Sequence, residues 1–269
     1  MKMQNMDKHL EHKKARLRHL IEYVKPGKIV EFGCGSGFVL EVISDNFSES
    51  IIVGIDKSME RLEKVVSRDM ENVIAIKADI TDNIFPKASF DTGLFVGSLH
   101  EVFSYLGREK VEDTFRIAHR VLKDDGILIV QDFLKPSPRL VEIAFKNGDT
   151  RRRFLKFADE FRPRKVRFEE MIGGVKLDIA DAVEFVSKYR SPSEEDWKEE
   201  MNETHFFFTE EDYQKIAKQT GFKIRDSMKL PKDQYWFAEV RKDLELAFEP
   251  EYRWIQLVLT KKLDDIQNV

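Results

Sequence analysis

The sequence predicts an α/β fold built on a doubly wound, mostly parallel sheet, and three observations carry that prediction. Five short runs rich in β-branched and aromatic residues, "KIVEF", "SIIVGID", "NVIAIKAD", "FDTGLFVG" and "GILIVQDF", have the make-up of strands covered on both faces. Helical patterns at 38 to 47, 58 to 68 and 108 to 121 separate these runs, and such alternation implies βαβ units with helices on both faces of the sheet. Three glycines at alternate positions, Gly33, Gly35 and Gly37, stand between the first strand and the helix that follows it.

The elements follow in order. Leu10, Leu17, Leu20, Ile21 and Val24 share one face of a charged N-terminal helix that "KPG" ends. The alternating strands and helices run to residue 134, and from Lys135 to about Phe208 the alternation is lost. That stretch reads as charged and helical, broken by "KPSPR", "RPR" and "SPS", and is expected to be an insertion over the carboxyl edge of the sheet. Alternation returns with "TEEDYQKIAKQTGF". Here Thr209 is placed as an N-cap, Asp212 stands where a capping box would prefer a longer acid, and Gly221 ends the helix. "FKIRDSMKL" and "YRWIQLVLTKK" read as strands, and 231 to 250 fits a helix or a hairpin. The expected organisation is therefore 1–134 as N-terminal helix and ligand-binding core, 135–208 as an insertion or lid that selects the substrate, and 209–269 as completion of the core sheet.

Composition narrows the function. With 269 residues, 42% of them hydrophobic, the chain can bury one substantial core, and a net charge of −4 gives no overall bias toward nucleic acid. Cys34 is the only cysteine, which excludes an intrachain disulfide framework and a cysteine-rich zinc site and fits a reducing compartment. No uninterrupted apolar span approaches bilayer length, so a cytoplasmic protein with no membrane partner is expected.

The glycines let the backbone turn sharply and approach a ligand closely, although a tight turn with no ligand would use the same residues. Asp56, ending the second strand, adds a carboxylate able to accept from both hydroxyls of a ribose. A dinucleotide fingerprint would place a small residue where Phe38 stands, and the spacing is G-x-G-x-G instead. Glu31, two residues before the first glycine, suits a ligand bearing an ammonium and a sulfonium better than a pyrophosphate.

At this point the chain resembles the class I S-adenosylmethionine-dependent methyltransferases. "VEFGCGSG", "VGIDKS", "IKADITD", "FDTGLFVGSLHEV" and "RVLKDDGILIVQDF" resemble that family's motifs in the family's order, over roughly residues 25 to 133, with "KDDG" replacing the usual proline and glycine turn. The resemblance implies a Rossmann-like, seven-stranded sheet with a helical insertion between the fifth strand and the last helix, and S-adenosylmethionine as cofactor. It also implies that Gly33, Gly35 and Gly37 line the methionine part, with Glu31 near its amino group. Asp56 would hold the ribose, and Lys57 or Met59 would flank the adenine. Asp79 would accept from the adenine amino group beside the backbone of Ile80, although an acid there also serves as a helix cap or turn residue. Gly97 and Ser98 would lie where the chain passes the reactive methyl.

Methyl transfer depends mainly on in-line positioning, and proton removal matters only for some acceptors. His100, Glu101 and Tyr105 follow the fourth strand at the edge where such sheets bind ligands, and they are the candidates to act on the acceptor; a histidine here also serves to hold the next helix. No metal is assigned. His9, His12 and His19 lack a completing acid or cysteine, and a His100–Glu101 pair has no recognisable remaining ligand set. In "KNGDTRRRFLKFADEFRPRKVRF" arginines alternate with Phe154, Phe157, Phe161 and Phe168. A lid helix with a phenylalanine core face is favoured over a grip on a phosphorylated or nucleic-acid acceptor, and the acidic "SPSEEDWKEEMNE" is available to pair with the basic residues. The expected function is methyl transfer to oxygen or nitrogen of a small molecule. RNA or a nucleotide is the alternative acceptor, a non-catalytic module that binds the cofactor is an alternative of another class, and an NAD oxidoreductase is more distant.

Overall fold

Seven strands form the main sheet, in the order β3-β2-β1-β4-β5-β11-β9. The computed structural model describes residues 16–231, 234–248 and 252–262; Leu10, His9 and His12 lie outside them. A helix over 16–21 (α1) precedes β1 (Lys28–Phe32), α2 (Phe38–Asn46), β2 (Ile51–Asp56), α3 (Met59–Val66), β3 (Val73–Lys77), β4 (Phe90–Val96), α4 (Leu99–Leu106), α5 (Arg108–Val121) and β5 (Leu122–Phe133). The insertion holds β6 (Leu140–Phe145), α6 (Gly148–Glu160), β7 (Phe168–Met171), β8 (Gly174–Asp178), α7 (Ile179–Lys188) and α8 (Glu194–Asn202). The chain then adds α9 (Glu210–Gln219), β9 (Phe222–Pro231), α10 (Gln234–Val240), β10 (Leu244–Leu246) and β11 (Tyr252–Lys261).

Period-two alternation sorts the strand residues between two cores. Val30, Phe32, Ile55 and Val130 face one side, where Val111 and Phe115 of α5 and Tyr213 and Ile216 of α9 cover them. Ile29, Ile52, Leu94 and Ile129 face the other, under Leu17 and Leu20 of α1, Leu40 and Ile43 of α2, and Leu62 and Val65 of α3. The β1–β5 strands are parallel, and β11 runs antiparallel to both β5 and β9. β1 pairs with β2 on one side and β4 on the other, so strand order reverses there. A sheet of this kind opens a crevice at that reversal, beyond the carboxyl ends of the strands.

The insertion is less helical than its charge pattern suggests. It carries three strands that join β10 in an antiparallel sheet of order β10-β6-β8-β7, so α10 and β10, expected with the core sheet, lie with the insertion. Phe154, Phe157 and Phe161 of the basic segment are buried with Phe185, Trp197, Phe206 and Leu244 in a separate core. The arginines are held at its surface: Arg153 lies over the Trp197 ring and donates to the Tyr189 carbonyl, Lys156 pairs with Glu194 at 2.7 Å, and Arg164 pairs with Asp181 at 2.6 Å. No helix among the described residues is long and apolar enough to cross a membrane.

Candidate active site

The carboxylate ending β2 organises the glycine loop. Asp56 accepts the Gly35 N–H through Oδ2 at 2.9 Å and the Ser58 N–H through Oδ1 at 2.8 Å, tying the loop to the start of α3, while Gly33 and Cys34 donate to the Ile55 carbonyl. Gly33 and Gly35 both adopt positive φ, which only glycine takes readily. A Cβ on Gly33 would come within 2.7 Å of Ser98, whereas one on Gly35 would meet nothing within 4 Å, so the chain crosses closely at the first position and faces open space at the second.

Below the loop, Glu31 is buried with 1% exposure, and its Oε2 has no hydrogen-bond partner. Burial, followed by the nearby charge of Asp56, holds its pKa well above the ordinary carboxylate range. Cys34 beside it is also driven up by burial, then by Glu31 and Asp56, so its thiol stays protonated.

A cleft of about 630 Å³, counting its open mouth, joins these parts to the other strand ends. Its walls include Gly33, Asp56, Lys57, Asp79, Ile80, Ser98, Glu101 and Tyr105. Asp79 Oδ1 closes a turn by accepting from the backbone and hydroxyl of Thr81, so it is both a turn acid and a cleft residue. Across the mouth, Arg61 pairs with Glu101 at 3.6 Å and Lys57 lies over the Tyr105 ring.

Residues 30–130 match the family model described as a methyltransferase domain. The chain carries a class I S-adenosylmethionine-dependent methyltransferase domain. Solved structures share its fold at low identity. A methyltransferase from Mesorhizobium loti aligns over 91% of this chain and 95% of its own with a TM-score of 0.56 and 16% identity. One from Aquifex aeolicus aligns over 90% and 87% with a TM-score of 0.51 and 15% identity. The 1,6-didemethyltoxoflavin-N1-methyltransferase of Burkholderia thailandensis, solved with bound 1,6-didemethyltoxoflavin and S-adenosylhomocysteine, aligns over 94% and 78% with a TM-score of 0.52 and 13% identity. No curated protein matches the chain.

The residues of the methyltransferase domain fit S-adenosylmethionine, the family's methyl donor. Glu31 Oε2 and Ser98 Oγ are both buried without partners, and a buried acceptor in that state is stabilised by a donor such as the cofactor's ammonium. Asp56 uses one lone pair of each oxygen on the backbone and retains acceptor capacity on both for ribose hydroxyls.

Four of the residues expected at the cofactor are not part of the cleft wall besides Glu31. Gly35 sits above it, held by Asp56. Gly37, in the left-handed region at the start of α2, lets α2 and α3 pack, since a Cβ there would come within 2.9 Å of Val65. Gly97 makes room for Trp254, whose ring a Cβ would approach to 3.2 Å. Met59 opens α3 toward solvent with 54% exposure, leaving Lys57 as the residue of that pair at the cleft.

His100 is displaced from the cleft as well. It is buried in the first turn of α4, with Nδ1 2.9 Å from Asp132 Oδ1, while Asp132 Oδ2 accepts the Leu99 and His100 N–H groups at the start of the helix. Burial lowers the imidazole pKa, but the charge and hydrogen bond of Asp132 together with the charges of Glu101 and Glu203 outweigh it, and the net shift is upward. Next to it stand Glu203, which accepts from the Tyr105 hydroxyl at 3.0 Å, and His205, stacked on Phe133. Burial and then the Glu101 charge raise the Glu203 pKa, and burial drives His205 well below the usual histidine value, so His205 is neutral at neutral pH. Arg61, Val102 and Leu106 also line the cleft and were not anticipated. Asp132 had a signal, an acid ending an apolar strand just as Asp56 does. Glu203 and His205 had none locally, because the tertiary fold of the insertion brings them in.

Proposed function

We propose that the enzyme transfers a methyl group from S-adenosylmethionine to oxygen or nitrogen of a small-molecule acceptor. The supporting observation is that one cleft holds the donor-side residues, Gly33, Asp56, Asp79 and Ile80, together with Glu101 and Tyr105 of α4. When bound, the cofactor supplies a methyl activated by its sulfonium, and the protein's share is to hold the acceptor in line and exclude water. Tyr105 suits the orienting role. Burial, then the charge of Glu203, holds its phenol above the ordinary pKa, so it remains a hydroxyl that donates and accepts hydrogen bonds. Glu101, ion-paired with Arg61, is the cleft carboxylate on α4 that would serve an acceptor that must lose a proton. His100 acts through Asp132 and α4 as a positioning residue. A small acceptor is favoured because Phe154, Phe157 and Phe161 of the basic segment are buried, Phe168 packs partly buried against the same core, and Arg153 and Arg164 are already engaged, so these rings are turned to the core rather than offered to bases.

The test combines titration with labelling. S-adenosylhomocysteine should bind the wild type, and Asp56→Ala should weaken it at least tenfold, about 1.4 kcal/mol. Labelled S-adenosylmethionine should then pass its methyl to a component of a small-molecule pool. Transfer to RNA instead would replace the acceptor class, binding without any transfer would indicate a module that only holds the cofactor, and unchanged affinity in Asp56→Ala would remove the ribose assignment.

A further inference from the structure

We propose that His100, Glu203 and His205 form a binding site for a first-row transition-metal dication, Zn²⁺ being the reference ion, in the wall between the cleft and the insertion. One ligand atom from each of the three lies within 4.8 Å of the others. Two histidines and one carboxylate are a donor set that Zn²⁺ and Fe²⁺ accept, with the remaining positions open to water or another oxygen ligand. The two imidazoles stand edge to face with centroids 5.1 Å apart, so their nitrogens converge without the rings stacking on each other.

The hydrogen bonds around the cluster leave the required lone pairs available. His100 Nδ1 is occupied by Asp132, which leaves Nε2 as the free nitrogen and supplies the carboxylate partner that metal-bound histidines commonly have on their other nitrogen. His205 Nε2 lies 3.4 Å from Glu200, and His205 Nδ1 is buried without a hydrogen-bond partner. An unpartnered nitrogen in a buried site is costly in a purely structural network and is satisfied by a cation. The neighbouring Lys188 does not oppose an ion at full strength, since Glu200 at 2.6 Å and Glu184 at 3.6 Å neutralise it. Glu203 connects the cluster to the cleft through its hydrogen bond from Tyr105, which places the ion beside the acceptor region of the reading given above. Metal binding itself does not depend on that reading.

The test uses the full chain stripped of metal with a chelator. Zn²⁺ competition against a chromophoric chelator should show one equivalent bound, and Co²⁺ should give visible ligand-field absorption. His205→Gln and Glu203→Gln should each weaken Zn²⁺ at least thirtyfold, in the range seen when a metal site is disturbed or beyond it, and abolish the Co²⁺ bands, while S-adenosylhomocysteine affinity stays within about threefold of wild type, since neither residue lines the cleft. A triple variant, His9→Gln, His12→Gln and His19→Gln, should keep the site. Retained S-adenosylhomocysteine binding also reports that the variants are folded; should either variant fail to fold, Zn²⁺ added to the wild type should shift the ring-nitrogen NMR signals of His100 and His205. Less than one equivalent in the wild type, full binding in both single variants, loss in the triple variant, or unshifted imidazole signals would each overturn the proposal. Failure of the cofactor reading would instead appear as absent S-adenosylhomocysteine binding with the Co²⁺ spectrum intact.

Discussion

At the scale of single residues, a cofactor ammonium held by Glu31 would link ligand binding to pH. Its buried carboxyl holds a proton in the folded state at pH values where the unfolded chain has already lost it. Stability from this group is therefore greatest below the unfolded value of about 4.3 and falls as pH rises toward the raised folded value. A cofactor ammonium changes the sign, because it favours the ionised carboxylate. S-adenosylhomocysteine affinity should rise with pH through the Glu31 titration, with a proton released on binding that calorimetry in buffers of different ionisation heat detects. Glu31→Gln should flatten that dependence, lower affinity about tenfold at pH 8, or about 1.4 kcal/mol, and leave the unliganded protein at least as stable. An Oε2 that interacts only with its structural surroundings would leave affinity and its pH profile unmoved in the variant.

At the scale of elements, strong local signals were legible and weak ones were not. The β1 run "KIVEF" forms Lys28–Phe32 as read, and the box at α9 closes with aspartate: Thr209 Oγ1 accepts the Asp212 N–H while Asp212 accepts the Thr209 N–H. Thr209→Ala should cost about 1 kcal/mol of stability, read as a lower thermal midpoint, without changing cofactor affinity; a change in affinity would mean that α9 communicates with the cleft. The insertion strands escaped notice for a physical reason. In β6 Val141 and Ile143 are buried while Glu142 faces solvent, and in β8 Val175 and Leu177 are buried on either side of Lys176, so each strand shows two or three alternations among many charges. The turn joining β7 to β8 is only Ile172 and Gly173, too short to stand out as a loop. The cleft residues Gly33, Asp56 and Asp79 were legible because each lies at or just past the end of a strand; Glu203 and His205 beside His100 were not, because they lie about a hundred residues along the chain from it, just past α8.

At the scale of the whole molecule, charge is spent within the chain rather than offered to a polyanion. Lys156 pairs with Glu194 of the acidic stretch, as expected, whereas Arg151 pairs with Glu170 and Arg164 with Asp181 outside that stretch, and Arg162, Lys165 and Arg167 remain at the surface. Binding to single-stranded RNA should accordingly be weak near 0.15 M salt, on the order of the non-specific range of 10⁻⁴ to 10⁻⁶ M, and Arg162→Ala with Arg167→Ala should not alter turnover on a small acceptor. Tight RNA association with a steep salt slope would contradict this reading. The topology has one more outcome, for biogenesis. β11 is synthesised after β9 yet lies between β5 and β9, pairing with both. While the ribosome is still extending the polypeptide, the nascent sheet must therefore keep a slot open with two unpaired rims, and such rims recruit chaperones or neighbouring chains until the late arrival seals them.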